Sequence, residues 1–373
     1  MKKNILFSII IVLTSAACER QFNVDFENEK PLIVMNGVVE PDKPIEITVS
    51  KSFPFLNTDS AAAYVKDASV MLHINGKYVE NMQLTGVDNA LNTSRRGRSF
   101  FRSVAHANIG DRVRIEVSAP DMETAWAETV IPTPPTIGKV ETTPFLIMAE
   151  TDGSYGNYGG YGDVYDRIPE ISREPFLRML RLHIDVQRAG NNNSQYFLLN
   201  LMAVVDPEKT IYNNSRYGLY INTQDDPIFA NDPKNSIFDA LFEKSYGFSG
   251  SRLFSDNAFK NNAYTLNVST YGYYYIDIEY EENEDGAPSN YKSHTVRNLP
   301  IEIQVSSLAS GWYAYLKSKE TGAYDDEGLG FISEPKITSS NVHNGIGFLG
   351  SMSQATKIIE TPPFDGKENE VPW

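Results

Sequence analysis

Ala68 to Val79 reads ASVMLHINGKYV: an apolar run, an Asn-Gly pair, and a second run that turns back. Asn75-Gly76 is the pair best suited to a two-residue turn with positive φ at both positions, so this stretch predicts a β-hairpin. Working outward, the same texture recurs on both sides. Leu32 to Met35 is apolar and is expected to end in a turn at Asn36-Gly37, and Ile45 to Val49 alternates with period two. Phe100-Phe101 begins another strand, Gly110-Asp111 turns into an alternating run from Arg112 to Val117, and Ala125 to Ile131 stops at Pro132-Thr133-Pro134-Pro135. Roughly seven short strands separated by turns within about a hundred residues predict an immunoglobulin-like β-sandwich over residues 31–133. Trp126 is not the central Trp of such a sandwich, because it lies on the last predicted strand and no Cys pair accompanies it.

The Pro-rich exit at Pro132 to Pro135 is the best domain boundary, expected to be an exposed linker after a sandwich able to fold alone. Beyond it, Leu177 to Val186 and Gln195 to Val205 are expected to pair across the turn Gly190 to Asn193. Tyr264 to Val268, Tyr271 to Tyr280 and Leu299 to Leu308 read as further strands. Ala309 to Thr321 carries Trp312, Tyr315 and Leu316 at helical spacing, with Lys317 and Lys319 near its end, and predicts a helix. No period of 20 to 50 residues is visible, which excludes solenoids and propellers. The expected fold is mainly β: an immunoglobulin-like sandwich, then a larger β-rich, sandwich-like domain over residues 137–361 with one short helix, and a tail over residues 362–373.

Composition agrees. The chain has 373 residues, 41% of them hydrophobic and 12% aromatic, enough apolar mass for a sizeable core. A net charge of −15 argues against nucleic acid or an anionic lipid surface as partner. The single Cys excludes a disulfide framework and a Cys-rich zinc site.

That Cys has a telling context. Met1-Lys2-Lys3 is cationic, Ile5 to Leu13 is apolar, and Thr14 to Ala17 are small residues that lead directly to Cys18. The apolar run is too short for a spanning helix, which takes about 20 residues. Residues 1–17 therefore read as a signal peptide, and the cleavage site resembles a bacterial lipobox in which the Cys18 thiol is acylated and becomes the new N-terminus. Ser15 departs from that pattern, since Leu is commonest there, and an ordinary secretory peptide is the alternative. The mature chain would carry 31 basic and 48 acidic residues, a net of −17. Residues 18–30 read as a tether whose early acids (Glu19, Asp25, Glu27, Glu29) resemble surface-export signals, or are simply a solvated linker.

Catalytic signatures do not accumulate. Gly345-x-Gly347-x-x-Gly350 matches the dinucleotide fingerprint, but too little chain follows for the required helix, strand and acid, and Pro362 and Pro363 intervene. These glycines are expected in a closing β-hairpin or bulge. Ser333-Glu334-Pro335-Lys336 matches S-x-x-K without its partner motifs, and Gly247 to Ser251 misses the nucleophile-elbow spacing. The five His residues are scattered singly, with no zinc-hydrolase spacing. The reading is therefore not an enzyme, with no cofactor and no metal. Binding features fare better. Tyr155, Tyr158, Tyr161 and Tyr165 stand on a Gly-rich stretch, Thr151 to Arg167, where rigid, amphipathic rings suit contact with a glycan, a peptide or a partner. The alternative is a lightly packed loop. Asp225, Asp226, Asn231, Asp232 and Asp239 offer oxygen ligands for Ca²⁺, but their spacing fits no EF-hand, and Pro227 and Pro233 favour simple turns. Asp59-Ser60-Ala61 resembles a short O-glycosylation acceptor motif centred on Ser60.

Taken in order, KPLIVMNGVVEPDKPIEITVSKSFPF from Lys30, KDASVMLHINGKYVE, and GDRVRIEVSAPDMETAWAETVIP resemble the DUF4249 family of Bacteroidetes outer-membrane lipoproteins. The blocks SSLASGWYAYLKSKE and ISEPKITSSNVHNGIGFLG are similar to its closing motif. The resemblance implies a lipid-anchored protein at the outer membrane, on the cell surface. Such proteins typically accompany TonB-dependent transporters, so it also implies an accessory role in nutrient uptake. A structural envelope protein without a nutrient ligand is the alternative.

Overall fold

The computed structural model describes residues 30–52, 64–65, 67–88, 98–148, 176–190, 195–205, 216–229, 250–282, 288–322 and 339–362. Cys18, Ser60, Tyr155, Tyr158, Tyr161 and Tyr165 lie outside the described residues, as do Asn231, Asp232, Asp239 and the Ser333 to Lys336 motif. Before the Pro-rich segment come β1 (Ile33–Val39), β2 (Pro44–Lys51), β3 (Ser69–Ile74), β4 (Lys77–Asn81), β5 (Gln83–Asp88), β6 (Arg98–His106), β7 (Arg112–Ser118) and β8 (Ala125–Val130). After it come β9 (Thr136–Met148), β10 (Phe176–Gln187), β11 (Tyr196–Val204), β12 (Arg216–Gly218), β13 (Ser251–Ser255), β14 (Ala263–Thr270), β15 (Tyr274–Glu282), β16 (Pro288–Asn298), β17 (Ile301–Leu308), the helix α1 (Ser310–Gly322) and β18 (Gly345–Ile359). The molecule is mainly β, with one α-helix among the described residues.

The hairpin that opened the reading is present. Asn75 and Gly76 have φ of 53° and 76°, and β3 and β4 pair across them. Asn75 is held on both sides, donating to Asp111 Oδ1 at 2.8 Å and accepting from the Arg112 N–H at 3.0 Å. The sheet β4-β3-β7-β8 faces β1, β2, β5 and β6 across a core of Met35, Ile47, Val49, Leu72, Phe101, Ile115 and Val117, all buried. Asn36-Gly37 is not a turn. It lies inside β1, where a Cβ on Gly37 would come within 2.6 Å of Ile47 Cγ2, so the glycine permits close cross-strand packing. The sequence reading passed over β5, whose residues QLTGVD show no buried alternation because it is an edge strand.

In the second half, β10 and β11 exist but do not pair. The backbone of β10 is taken by β9 and β14, and that of β11 by β17, β12 and β13. The two strands therefore belong to different sheets. Leu180, Leu182, Ile184 and Val186 then face the same core as Phe197, Leu199, Leu201 and Ala203. Alternation marks a half-buried strand but does not say whether the next one is a neighbour or lies opposite. β9 was also passed over; it carries Pro144, which its edge position tolerates.

One strand joins the two halves. Gly345 to Ser351 pairs parallel with β1, and Met352 to Ile359 continues antiparallel to β17, so β18 runs through a single nine-stranded sheet. The fingerprint glycines therefore sit within a long strand, in neither a hairpin nor a phosphate loop. Gly347 has φ of 110°, and a Cβ there would press on the Met35 carbonyl oxygen and lie 2.8 Å from Asn36 Oδ1. The Pro-rich segment is pinned to this strand. Ile131 and Pro135 are buried, Ser351 Oγ donates to the Val130 carbonyl at 2.7 Å, and Ser353 Oγ donates to the Pro132 carbonyl at 2.5 Å. It is a fixed crossing, where the sequence suggested an exposed linker.

Candidate functional site

Three places on the described surface bring together side chains with chemical potential. The first is a cleft beside the start of β14. Asn261 and Asn262 have φ of 52° and 63° and form a two-residue turn closed by reciprocal hydrogen bonds of 3.0 Å between Lys260 and Ala263. Arg188, at the end of β10, holds this turn. Its N–H donates to the Asn262 carbonyl at 2.9 Å, its Nε donates to Asn262 Oδ1 at 2.8 Å, and its guanidinium pairs with Asp256. The cleft has a volume of about 420 Å³ and is lined by Asp185, Gln187, Lys260, Tyr264 and Thr265, with the methyl groups of Ala258 and Ala263. Asp185 is oriented by Thr265, whose hydroxyl donates to Oδ1 at 2.6 Å. Nearby, the hydrogen bond to Glu141 holds the Lys139 ammonium above its usual pKa, and Asp185 adds a smaller attraction.

The second place is Asp226, buried at 2% exposure. It accepts from the Tyr264 hydroxyl at 2.7 Å, the Asn267 N–H at 2.7 Å and the Ile228 N–H at 3.0 Å. Burial, and then this bond to a carboxylate, push the Tyr264 phenol above its ordinary range. Protein donors already surround this carboxylate, so it fastens the turn Pro227–Phe229 to β14. Asp225 pairs with Arg181 at 3.2 Å. Among the described residues, no three His, Cys, Asp or Glu side chains are grouped to hold a metal ion.

The third place is a stack on the outer face of β7 and β8. The Arg114 guanidinium lies 4.0 Å from the Trp126 ring centroid, and His343 stacks on that ring at 3.9 Å and 12°. Trp126 and His343 also exchange backbone hydrogen bonds of 3.1 and 2.8 Å. With Arg114 and His343 both against the indole, the stack is a clamp that fixes the entry to β18, with little open ring left for a ligand.

Sequence reasoning singled out Asp225 and Asp226, and the structure brings both to the β14 edge as turn and pairing residues. It missed the cleft. The available signal was the polar half of the β10 alternation, His183, Asp185 and Gln187, and the turn-forming Asn261-Asn262 pair. No described helix is long and apolar enough to cross a membrane.

No curated protein matches the chain. The family described as "Domain of unknown function (DUF4249)" matches over residues 19–358, nearly all of the two sandwiches and the strand that joins them, and the chain belongs to that family.

Proposed function

We propose that this protein is a lipid-anchored outer-membrane accessory protein of the Bacteroidetes type, a binding or docking module that works with a TonB-dependent transporter in nutrient uptake. The observation that carries the reading is the leader: a cationic start, a short apolar run and small residues that end at the only Cys of the chain. Family similarity begins at residue 19, directly after that Cys. Acylation at Cys18 adds about 0.8 kcal/mol of membrane affinity per buried CH₂, so two or three chains anchor the protein firmly. The β-rich body with exposed loops suits a module that binds, and the family's usual association supplies the transporter.

Two measurements test this. Cys18→Ala should abolish incorporation of radiolabelled fatty acid and release the protein from membranes or leave it unprocessed; a variant that still carries label and sediments normally refutes the anchor. Native lipoprotein purified from detergent-solubilised outer membrane should bring a TonB-dependent transporter with it. Replacing Tyr158 and Tyr161 together by Ala should weaken that complex and leave the melting temperature nearly unchanged. A fully lipidated protein that co-purifies with no transporter would favour the structural-envelope alternative.

A further inference from the structure

We infer that the cleft between β10, β14 and the Lys260–Ala263 turn binds a neutral, hydroxyl-rich ligand of the size of a mono- or disaccharide. The inference rests on the reading of the protein as a binding module and gives that module a ligand class. Size is the first support, since about 420 Å³ falls in the lower half of the range usual for small-molecule sites, roughly 300–1,000 Å³. Position is the second. Gln187 is the register partner of Thr136, the first residue after the Pro-rich crossing, so the cleft lies at the end of the C-terminal sandwich nearest that crossing.

Lining chemistry then selects the ligand. Asp185 spends Oδ1 on the Thr265 hydroxyl, and Oδ2 makes no hydrogen bond among the described residues. Having given its hydrogen to Asp185, the Thr265 hydroxyl oxygen can still accept. Lys260 offers N–H donors only, and Gln187 offers both kinds. The Tyr264 hydroxyl is committed to Asp226 and is not available. A set that alternates strong acceptors and donors around a small space matches a hydroxyl, which donates and accepts at once. Charge points the same way. Asp185 and Lys260 line the cleft, and the Lys139–Glu141 pair stands near Asp185, so the lining itself carries one charge of each sign rather than a cluster of one sign that would select an ion. One carboxylate is too few for a metal, and the lining mixes apolar surface from Ala258, Ala263 and Tyr264 with its polar groups, which suits the C–H faces and hydroxyls of a sugar.

Preorganisation completes the case. Arg188 fixes the backbone turn that carries Lys260, and Thr265 sets the Asp185 carboxylate, so of the charged groups only the Lys260 side chain is left to be ordered on binding. Asp185 is half-buried, and Gln187, Lys260 and Thr265 are exposed, so they can be replaced without unfolding the sandwich.

Saturation-transfer NMR on the purified mature chain tests the inference, with maltose, cellobiose and lactose as neutral probes and triglycine as a zwitterion. At least one disaccharide should receive saturation and triglycine should not. Asp185→Asn and Lys260→Ala should each weaken disaccharide binding about tenfold, the usual scale for one lost charged hydrogen bond, with the melting temperature unchanged. Three outcomes would overturn it: no transfer to any of the three sugars, transfer that neither variant reduces, or transfer to triglycine in their place. Neither transporter nor lipid is present in the assay, so its failure is distinct from failure of the transporter association.

Discussion

Replacing Gly347 by Ala puts a methyl group where β18 passes β1, and the cost follows from the local geometry. At φ of 110° a residue with a side chain is strained by about 1–3 kcal/mol. The added Cβ would also press on the Met35 carbonyl oxygen and lie 3.0 Å from its carbon and 2.8 Å from Asn36 Oδ1. Asn36 can rotate away, but Met35 cannot, because it belongs to the backbone ladder. Relief requires the parallel pair to open locally, within a register that runs from Ile33↔Gly345 to Val39↔Ser351. Losing one or two ladder hydrogen bonds adds roughly 0.5–1.5 kcal/mol each. The sum is about 2–6 kcal/mol, a large part of the 5–15 kcal/mol typical of folded proteins. Urea titration of the mature, unacylated chain, followed by circular dichroism and Trp fluorescence, reads this directly. Trp126 and Trp312 both report on β18, one through His343 and the other by packing on Gly350. The midpoint should fall markedly in a single transition, since β18 belongs to the sheet of both halves. Gly190→Ala is the control, as its Cβ meets nothing within 4 Å. If Gly347→Ala unfolds within about 0.5 kcal/mol of the parent, the close-approach reasoning is wrong.

Two further outcomes follow from the same features. Residues 31–133 expressed alone should lack a cooperative β transition, because β1 loses its β18 neighbour, Trp126 loses His343 and Thr129 loses Ser351; a sharp melt with a full β circular dichroism spectrum would contradict this. Tyr264 should make stability fall in alkali. Burial, and then the bond to Asp226, raise its folded pKa above that of a free tyrosine, so the contribution is complete below about pH 10 and is lost as pH rises beyond it. Tyr264→Phe should therefore be less stable at neutral pH and flatter between pH 9 and 11 in urea midpoints, and parallel curves would sink the assignment.

Strands whose apolar residues alternate and whose ends carry strong turn residues were legible one by one. The Asn75-Gly76 hairpin is the clearest case, because two positive φ values demand just that pair. The helix was legible from the spacing of Trp312, Tyr315 and Leu316. Pairing was not. Asn36-Gly37 looks identical to Asn75-Gly76 in sequence, yet its glycine answers a side chain on the neighbouring strand, a contact of which local sequence holds no trace. The expected pairing of β10 with β11 failed for the same reason, since alternation fixes the face of a strand and leaves its neighbour open. The edge strand β5 buries too little to show a period, and β9 alternates mostly between exposed and half-buried positions. The cleft was illegible because its walls, Asp185 and Lys260, are brought together only by the pairing of β10 with β14.

The long strand also orders the molecule along one axis. β1 starts three residues after Lys30, where the tether ends, and β18 enters the sheet beside that start, at Ile33↔Gly345. Because the two run parallel, β18 leads away from the tether, and its 15 residues cover about 50 Å at roughly 3.3 Å each. Its second half carries the sheet that forms the C-terminal sandwich. Under the proposed acylation of Cys18, a fully extended tether of residues 18–30 would reach at most about 45 Å. The N-terminal sandwich is the half joined directly to that tether, and the C-terminal sandwich follows it along β18. The cleft, at the Thr136↔Gln187 end of β10, lies at the end of the C-terminal sandwich that the Pro-rich crossing enters, so it is separated from the tether by the N-terminal sandwich along the chain.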